Sequence, residues 1–285
     1  MTRTVDAHQH FWDPSSGDYP WMTDALAPIR RRFAPEDLRP DLIEKGVELT
    51  ILVQTRSSLK ETFDFLSLAE ETDFVGGVVG WVDLTEPDIT ERLIELRSDR
   101  SGRWLVGIRH QVHDEPDPDW LLRPEVWRGL SAVESAGLVF DLLVRTRELP
   151  AALAAVRSFP GLRFVIDHLA KPPIKQGILD PWAERLSEFG GLTNVWCKLS
   201  GMVTEAEWSS WRLEQLTPYL DHVQAVFGPE RLMFGSDWPV CLLAGSYAEV
   251  YEAARLALGP LTPAESSLVF GGTASEVYRL PETTA

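Results

Sequence analysis

The chain has 285 residues and is 44% hydrophobic, enough to bury a sizeable core in one large α/β domain or two small ones without disulfides. Its 27 basic residues face 43 acidic ones, and the net charge of -16 argues against nucleic acid or an anionic membrane as a partner. Cys197 and Cys241 show no CxxC or zinc-ribbon spacing, no apolar run of ~18 residues occurs and no secretion leader is recognisable, so a cytoplasmic protein with reduced thiols is expected.

Eight apolar, β-rich runs follow in order: Val5–Phe11, Leu49–Thr55, Phe74–Asp83, Leu105–Val112, Leu138–Arg145, Phe164–Leu169, Val195–Ser200 and Leu232–Ser236. Helical stretches alternate with them. Pro35-Glu36-Asp37 opens one with proline and acids in its first turn, and Glu61–Glu71, Asp88–Arg97, Pro124–Ala136, Leu149–Ser158, Pro181–Phe189 and Glu205–Phe227 supply others. Eight strand–helix units predict a parallel sheet closed into a TIM (β/α)8 barrel, and no Gly/Ser/Pro-rich linker divides residues 1–285, so a single domain is expected.

Such barrels carry their sites at the C-terminal ends of the strands, which gives the polar residues there a meaning. His8 and His10 are two apart in the first run, so an extended strand aims both imidazoles at one point. Asp237 closes the last run, and barrel closure brings it beside them. Gln54, Trp81/Asp83, Arg109/His110/His113, Asp141/Arg145, Asp167/His168/Lys171 and Lys198/Ser200 end the intervening runs. His222, inside Glu205–Phe227, reads as a packing residue.

Six blocks recur in a recognisable order: DAHQHFW at the start, GIRHQVHDEPDPDWL at Gly107–Leu121, FVIDHLAKP at Phe164–Pro172, VWCKLSGM at Val195–Met202, FGSDWPVC at Phe234–Cys241 and FGGTASEVYRL at Phe270–Leu280. With YPW at Tyr19–Trp21, they resemble the amidohydrolase superfamily nearly end to end, and within it the family of sugar lactonases. The resemblance implies a TIM barrel, a closing helix at Phe270–Leu280 and hydrolysis of a small-molecule lactone to its hydroxy acid.

That reaction needs a base for water, a polarising group for the carbonyl and an acid for the departing ring oxygen. Asp237 is the expected base, with His168 and His110 polarising the carbonyl. Gln54, Arg109, His113, Lys198, Trp12, Trp21 and Trp238 are the expected substrate contacts, tryptophan faces suiting the apolar C–H side of a sugar ring. His8, His10 and Asp237, with His168 as a further candidate, can hold one divalent cation, zinc fitting N/O ligands best; a metal-free site built from the same groups is the alternative. The fourth run offers Arg109 and His110 and the fifth has no histidine, which argues against a second metal.

Each residue also has a plainer reading. Asp237 can cap a following helix, His168 can be a satisfied core histidine, Lys171 can simply start the Pro172-Pro173 loop, and Lys198 can pair with Asp141 or Asp167 inside the barrel. Arg109 and His110 are adjacent, so only one of them should enter the barrel. Most of the 11 tryptophans should be core. Competing functions are hydrolysis of a carboxylated lactone of the muconolactone or pyrone type, an amidohydrolase-like decarboxylation, and carbohydrate binding without catalysis.

Overall fold

A computed structural model of the chain describes residues 3–281. Eight strands pair in sequence order, every neighbouring pair parallel: β1 (Val5–Gln9), β2 (Leu49–Val53), β3 (Val75–Gly80), β4 (Leu105–His110), β5 (Val139–Leu142), β6 (Arg163–Ile166), β7 (Val195–Leu199) and β8 (Leu232–Phe234). The barrel closes just past β8, where the Asp237 amide donates to His8 O at 2.8 Å and the His10 amide to Trp238 O at 2.7 Å. The TIM barrel expected from the eight runs is the observed fold.

Helices follow the strands on the outside: α1 (Pro35–Lys45), α2 (Leu59–Glu71), α3 (Ile89–Ser98), α4 (Pro124–Ser135), α5 (Leu149–Ser158), α6 (Trp182–Ser187), α7 (Leu213–Phe227), α8 (Tyr247–Ala257), α9 (Pro263–Ser267) and α10 (Thr273–Val277). Their starts follow local chemistry. Pro35 opens α1 where its missing N–H costs nothing, and the Asp37 carboxylate accepts the Ala34 N–H at 2.9 Å. Ser58 caps α2 by accepting the Glu61 amide at 3.2 Å. α7 begins at Leu213 rather than Glu205, because the indoles of Trp208 and Trp211 tie the preceding segment down by donating to Thr204 O and Ala244 O. His222 packs on Trp182 from α7 and hydrogen-bonds Ala183 O. The expected closing helix is a π-type turn, Leu268–Gly272, followed by the short α10.

The core has two parts. One fills the space between sheet and helices; the other lines the barrel interior with Val5, Ala7, Ile51, Val53, Val79, Val139, Val165 and Met233, closed below by Val277 and Tyr278. Each of the Val, Ile and Met side chains, once fully buried, contributes about 1.5–3 kcal/mol, and the layer of buried charge is stacked above them. Both cysteines are free and buried. Among the described residues no helix is long and apolar enough to cross a membrane.

Candidate active site

Simple alternation on β1 would send Ala7 and His8 to opposite faces. The register shows why it does not: Asp6 pairs with Thr50 and Gln9 with Leu52, so β1 spends one residue more than β2 over the same span. Such a bulge re-aims side chains, and here it lets Val5 and Ala7 fill the floor while His8 and His10 also turn inward. Asp6 takes the outer side, where its carboxylate accepts the His8 and Ser236 amides at 3.1 and 2.8 Å and the Tyr247 hydroxyl at 3.2 Å. Burial raises Asp6 to about 6 despite these bonds. At β8, a side chain on residue 235 would meet His8 Cβ at 2.7 Å, so Gly235 leaves room for the imidazole.

His8, His10, His168 and Asp237 converge at the barrel mouth. His8 Nε2 and His10 Nε2 are 3.1 Å apart, and Asp237 Oδ1 lies 3.8 Å from the first, 3.4 Å from the second and 3.9 Å from His168 Nε2. His10 Nδ1 faces Val53 O at 2.8 Å, which can only accept, so Nδ1 carries a proton and Nε2 is the ring nitrogen turned to the mouth. Burial would raise the Asp237 carboxyl, but the imidazoles of His168 and His10 more than offset it and hold the group below the usual carboxylate value. Burial pushes His8 and His168 well below the usual imidazole value, so both are neutral near pH 7.

Beneath this cluster lies a closed charge network. Lys198 Nζ sits 2.5 Å from Asp141, 3.0 Å from Asp167 and 3.2 Å from His8 Nδ1, all with no exposed side-chain surface. Arg109 donates to Asp167 at 2.9 Å and to Gln54, and its Nη1 stands 3.2 Å from His8 Nε2. Burial pushes Asp141 up to about 6 against the pull of Lys198. For Asp167 burial acts upward too, but Lys198, His8 and Arg109 win and hold it well below the usual range. Arg109 Nε is buried without a hydrogen-bond partner among the described residues, and Arg109 lines the cavity above the network.

The cavity above holds about 550 Å³. At its deep end are His10, His168, Asp237 and Arg109; its apolar wall is Trp12, Trp21, Leu26 and Val240; its polar wall is Gln111, His113, Asp114, Arg145 and Lys171. Trp12 and Trp21 meet edge to face at 5.3 Å, and their indoles donate to Ile29 O and Thr55 O, which pins the long first loop as a roof. His113 pairs with Asp114 at 3.1 Å.

Four expected site residues, the catalytic candidate His110 and the contacts Lys198, Gln54 and Trp238, lie outside the cavity lining. His110 points away from the cavity, stacked on Trp120 at 4.2 Å with the Trp81 indole donating to Nδ1 and Glu115 bound at Nε2; as alternation requires, Arg109 is the one that enters. Lys198 and Gln54 are sealed in the network below, and Trp238 is packed between Phe11 and Phe33. Leu26, Gln111 and Val240 had no sequence signal, whereas Arg145 and Lys171 stood at strand ends and Asp114 opened the acidic loop after β4.

His168 itself starts an unusual turn. His168, Leu169, Ala170 and Lys171 have φ of 53°, 54°, 58° and 50°, a left-handed run without glycine that costs about 1–2 kcal/mol per residue. Gly201, at φ 64°, lets it fit, since a side chain there would meet the His168 ring at 2.7 Å.

The donor set fits one divalent cation. Tetrahedral zinc with bonds of about 2.0–2.2 Å sets its ligand atoms roughly 3.3 Å apart, close to the spacing of His8, His10 and Asp237. His8, His168 and Asp237 also form a buried cluster within 4.8 Å. Among the described residues a second ion finds no ligand set: β4 presents Arg109, and β5 presents Asp141, which Lys198 and Tyr278 occupy.

The amidohydrolase family profile matches residues 5–280. An L-fucono-1,5-lactonase of Burkholderia ambifaria is 42% identical over 98% of this chain and 97% of its own. That of Burkholderia multivorans is 39% identical over 98% and 96%. A crystal structure of an amidohydrolase from Burkholderia multivorans with bound zinc superposes with a TM-score of 0.92, at 38% identity over 98% of this chain and 100% of the other.

Proposed function

The chain belongs to the amidohydrolase family, and from that premise we propose that it opens a sugar lactone to its hydroxy acid, with L-fucono-1,5-lactone as the foremost candidate substrate. The observation that carries the reading is an ionised, buried Asp237 set between His10 and His168 at one end of a cavity whose other catalytic group, Arg109, has an unsatisfied donor. The likeness to two L-fucono-1,5-lactonases over nearly the whole chain supports the substrate class.

Asp237 accepts a proton from water as the water oxygen bonds to the lactone carbonyl carbon. Arg109 and neutral His168 stabilise the oxyanion that forms. Collapse of the intermediate breaks the bond to the ring oxygen, and protonated Asp237 returns its proton to that leaving alkoxide. Trp12 and Trp21 cover the apolar face of the sugar and keep bulk water off the reacting carbon. A zinc ion held by His8, His10 and Asp237, with His168 in reach, would supply Lewis acidity and a more acidic water.

An uncharged lactone enters a protein of net charge -16 without repulsion, and the anionic product is pushed outward, an effect that salt screens beyond roughly 8–10 Å. The test is acid release from a panel of L- and D-aldonolactones and carboxylated lactones, with metal content measured in the same samples. Turnover confined to sugar lactones and at most one tightly bound divalent ion per chain are expected. Turnover confined to a muconolactone or pyrone would move the substrate class, and two tight ions per chain would overturn the metal assignment.

A further inference from the structure

The left-handed run after β6 needs a reason. None of Leu169, Ala170 and Lys171 is an asparagine or aspartate, whose side chains ease this conformation by local hydrogen bonds. Strain of this kind survives only where the surroundings over-determine it, and it gathers at functional sites. Here Leu169 and Ala170 are fully buried, the Trp182 indole donates to Leu169 O at 2.6 Å, and the Lys171 amide donates to His168 O at 2.7 Å. That last bond spans three residues and closes the turn, which brings its first and last side chains back to one side. Both His168 and Lys171 line the cavity.

Lys171 Nζ donates to Glu205 Oε1 at 2.7 Å, the side chains keeping 19% and 27% of their surface exposed. Among the described residues Glu205 is its only hydrogen-bond partner, so an ammonium with three protons has donors left for a ligand. Glu205 is fixed in turn, its carbonyl accepting the Lys175 amide at 2.9 Å. A partly exposed ion pair that merely joined two loops would stabilise less than one left-handed residue costs, and it would not need to face the cavity.

We propose that Lys171 is a further substrate-contacting residue, donating to a hydroxyl of the lactone, with Glu205 as its positioning residue. The reacting carbonyl already has Arg109 and His168, so Lys171, on the polar wall, falls to the ring substituents. This rests on the sugar-lactone reading above.

Steady-state kinetics of the wild type, Lys171→Met, Lys171→Arg and Glu205→Gln on L-fucono-1,5-lactone and on δ-valerolactone, the same ring without hydroxyls, test it. Losing a hydrogen bond from a charged donor should raise KM for the sugar lactone about 10-fold or more in Lys171→Met, with kcat within about threefold. δ-Valerolactone kinetics should not change, Lys171→Arg should recover part of the loss, and Glu205→Gln should fall between. Equal losses on both lactones, or unchanged kinetics with a lowered Tm, would overturn the assignment and leave Lys171 a loop staple. A wild type that opens δ-valerolactone but no sugar lactone would sink the substrate class, and this proposal with it; failure of the Lys171 reading alone requires a wild type active on the sugar.

Discussion

Replacing Lys198 by methionine removes the only lysine of the buried network while keeping most of its volume. Asp141 and Asp167 lose partners at 2.5 and 3.0 Å inside a barrel where neither has exposed surface. Asp167 keeps Arg109 at 2.9 Å, whereas Asp141 keeps only the Tyr278 hydroxyl. Breaking a buried pair from one side costs about 3–5 kcal/mol, because a charge is left without compensation. Asp141 limits that cost by taking up a proton, since burial already raises it to about 6. The expected loss is therefore about 3 kcal/mol at pH 7.5 and less at pH 5.5, read as the change in unfolding free energy in urea. Lys198→Met/Asp141→Asn should recover at least about 1 kcal/mol of it, because the second substitution removes the stranded charge. Stability within about 1 kcal/mol of wild type, with a raised KM, would refute this reasoning and put Lys198 in contact with substrate.

Two further outcomes concern pH. Asp237 is held below the usual carboxylate value and His168 well below the usual imidazole value, so base and neutral imidazole should coexist unchanged through the pH range where an ordinary imidazole titrates. A pH profile of kcat/KM should be flat across that window, and a limb near pH 6.5 would contradict it. Asp6 has a folded pKa of about 6 against 3.8, so the folded state holds its proton more tightly and stability is lost as pH rises from about 4 through 6. Asp6→Asn lacks that slope: relative to wild type it should gain about 1 kcal/mol or more between pH 5 and 7.5 in chemical denaturation. A constant gap across that range would remove Asp6 from the pH dependence.

The barrel was legible because strands buried on both faces read as continuous apolar runs, and eight of them alternate with capped amphipathic helices. His8, His10 and Asp237 were legible as strand-end residues that closure would unite. The bulge in β1 was not, because it depends on how β1 registers against β2. Alternation did say that only one of Arg109 and His110 enters, but which one follows from the Trp81, Glu115 and Trp120 partners that hold His110 outside. Lys198 looked equally suited to substrate or to a buried pair; Asp141 in β5 and Asp167 just after β6 form that pair, and they come from separate parts of the chain. The left-handed turn at His168–Lys171 contradicts local propensity and is imposed by packing around Leu169 and Trp182.

The claim at the centre of the account is that the Asp237 carboxylate drives lactone hydrolysis at this barrel mouth. Asp237→Asn keeps the side chain's size and removes only its basicity, so circular dichroism and Tm should stay close to wild type while kcat on L-fucono-1,5-lactone, followed by acid release, falls about 10²–10⁴-fold. A folded Asp237→Asn variant that turns over the lactone within a few-fold of wild type would contradict it.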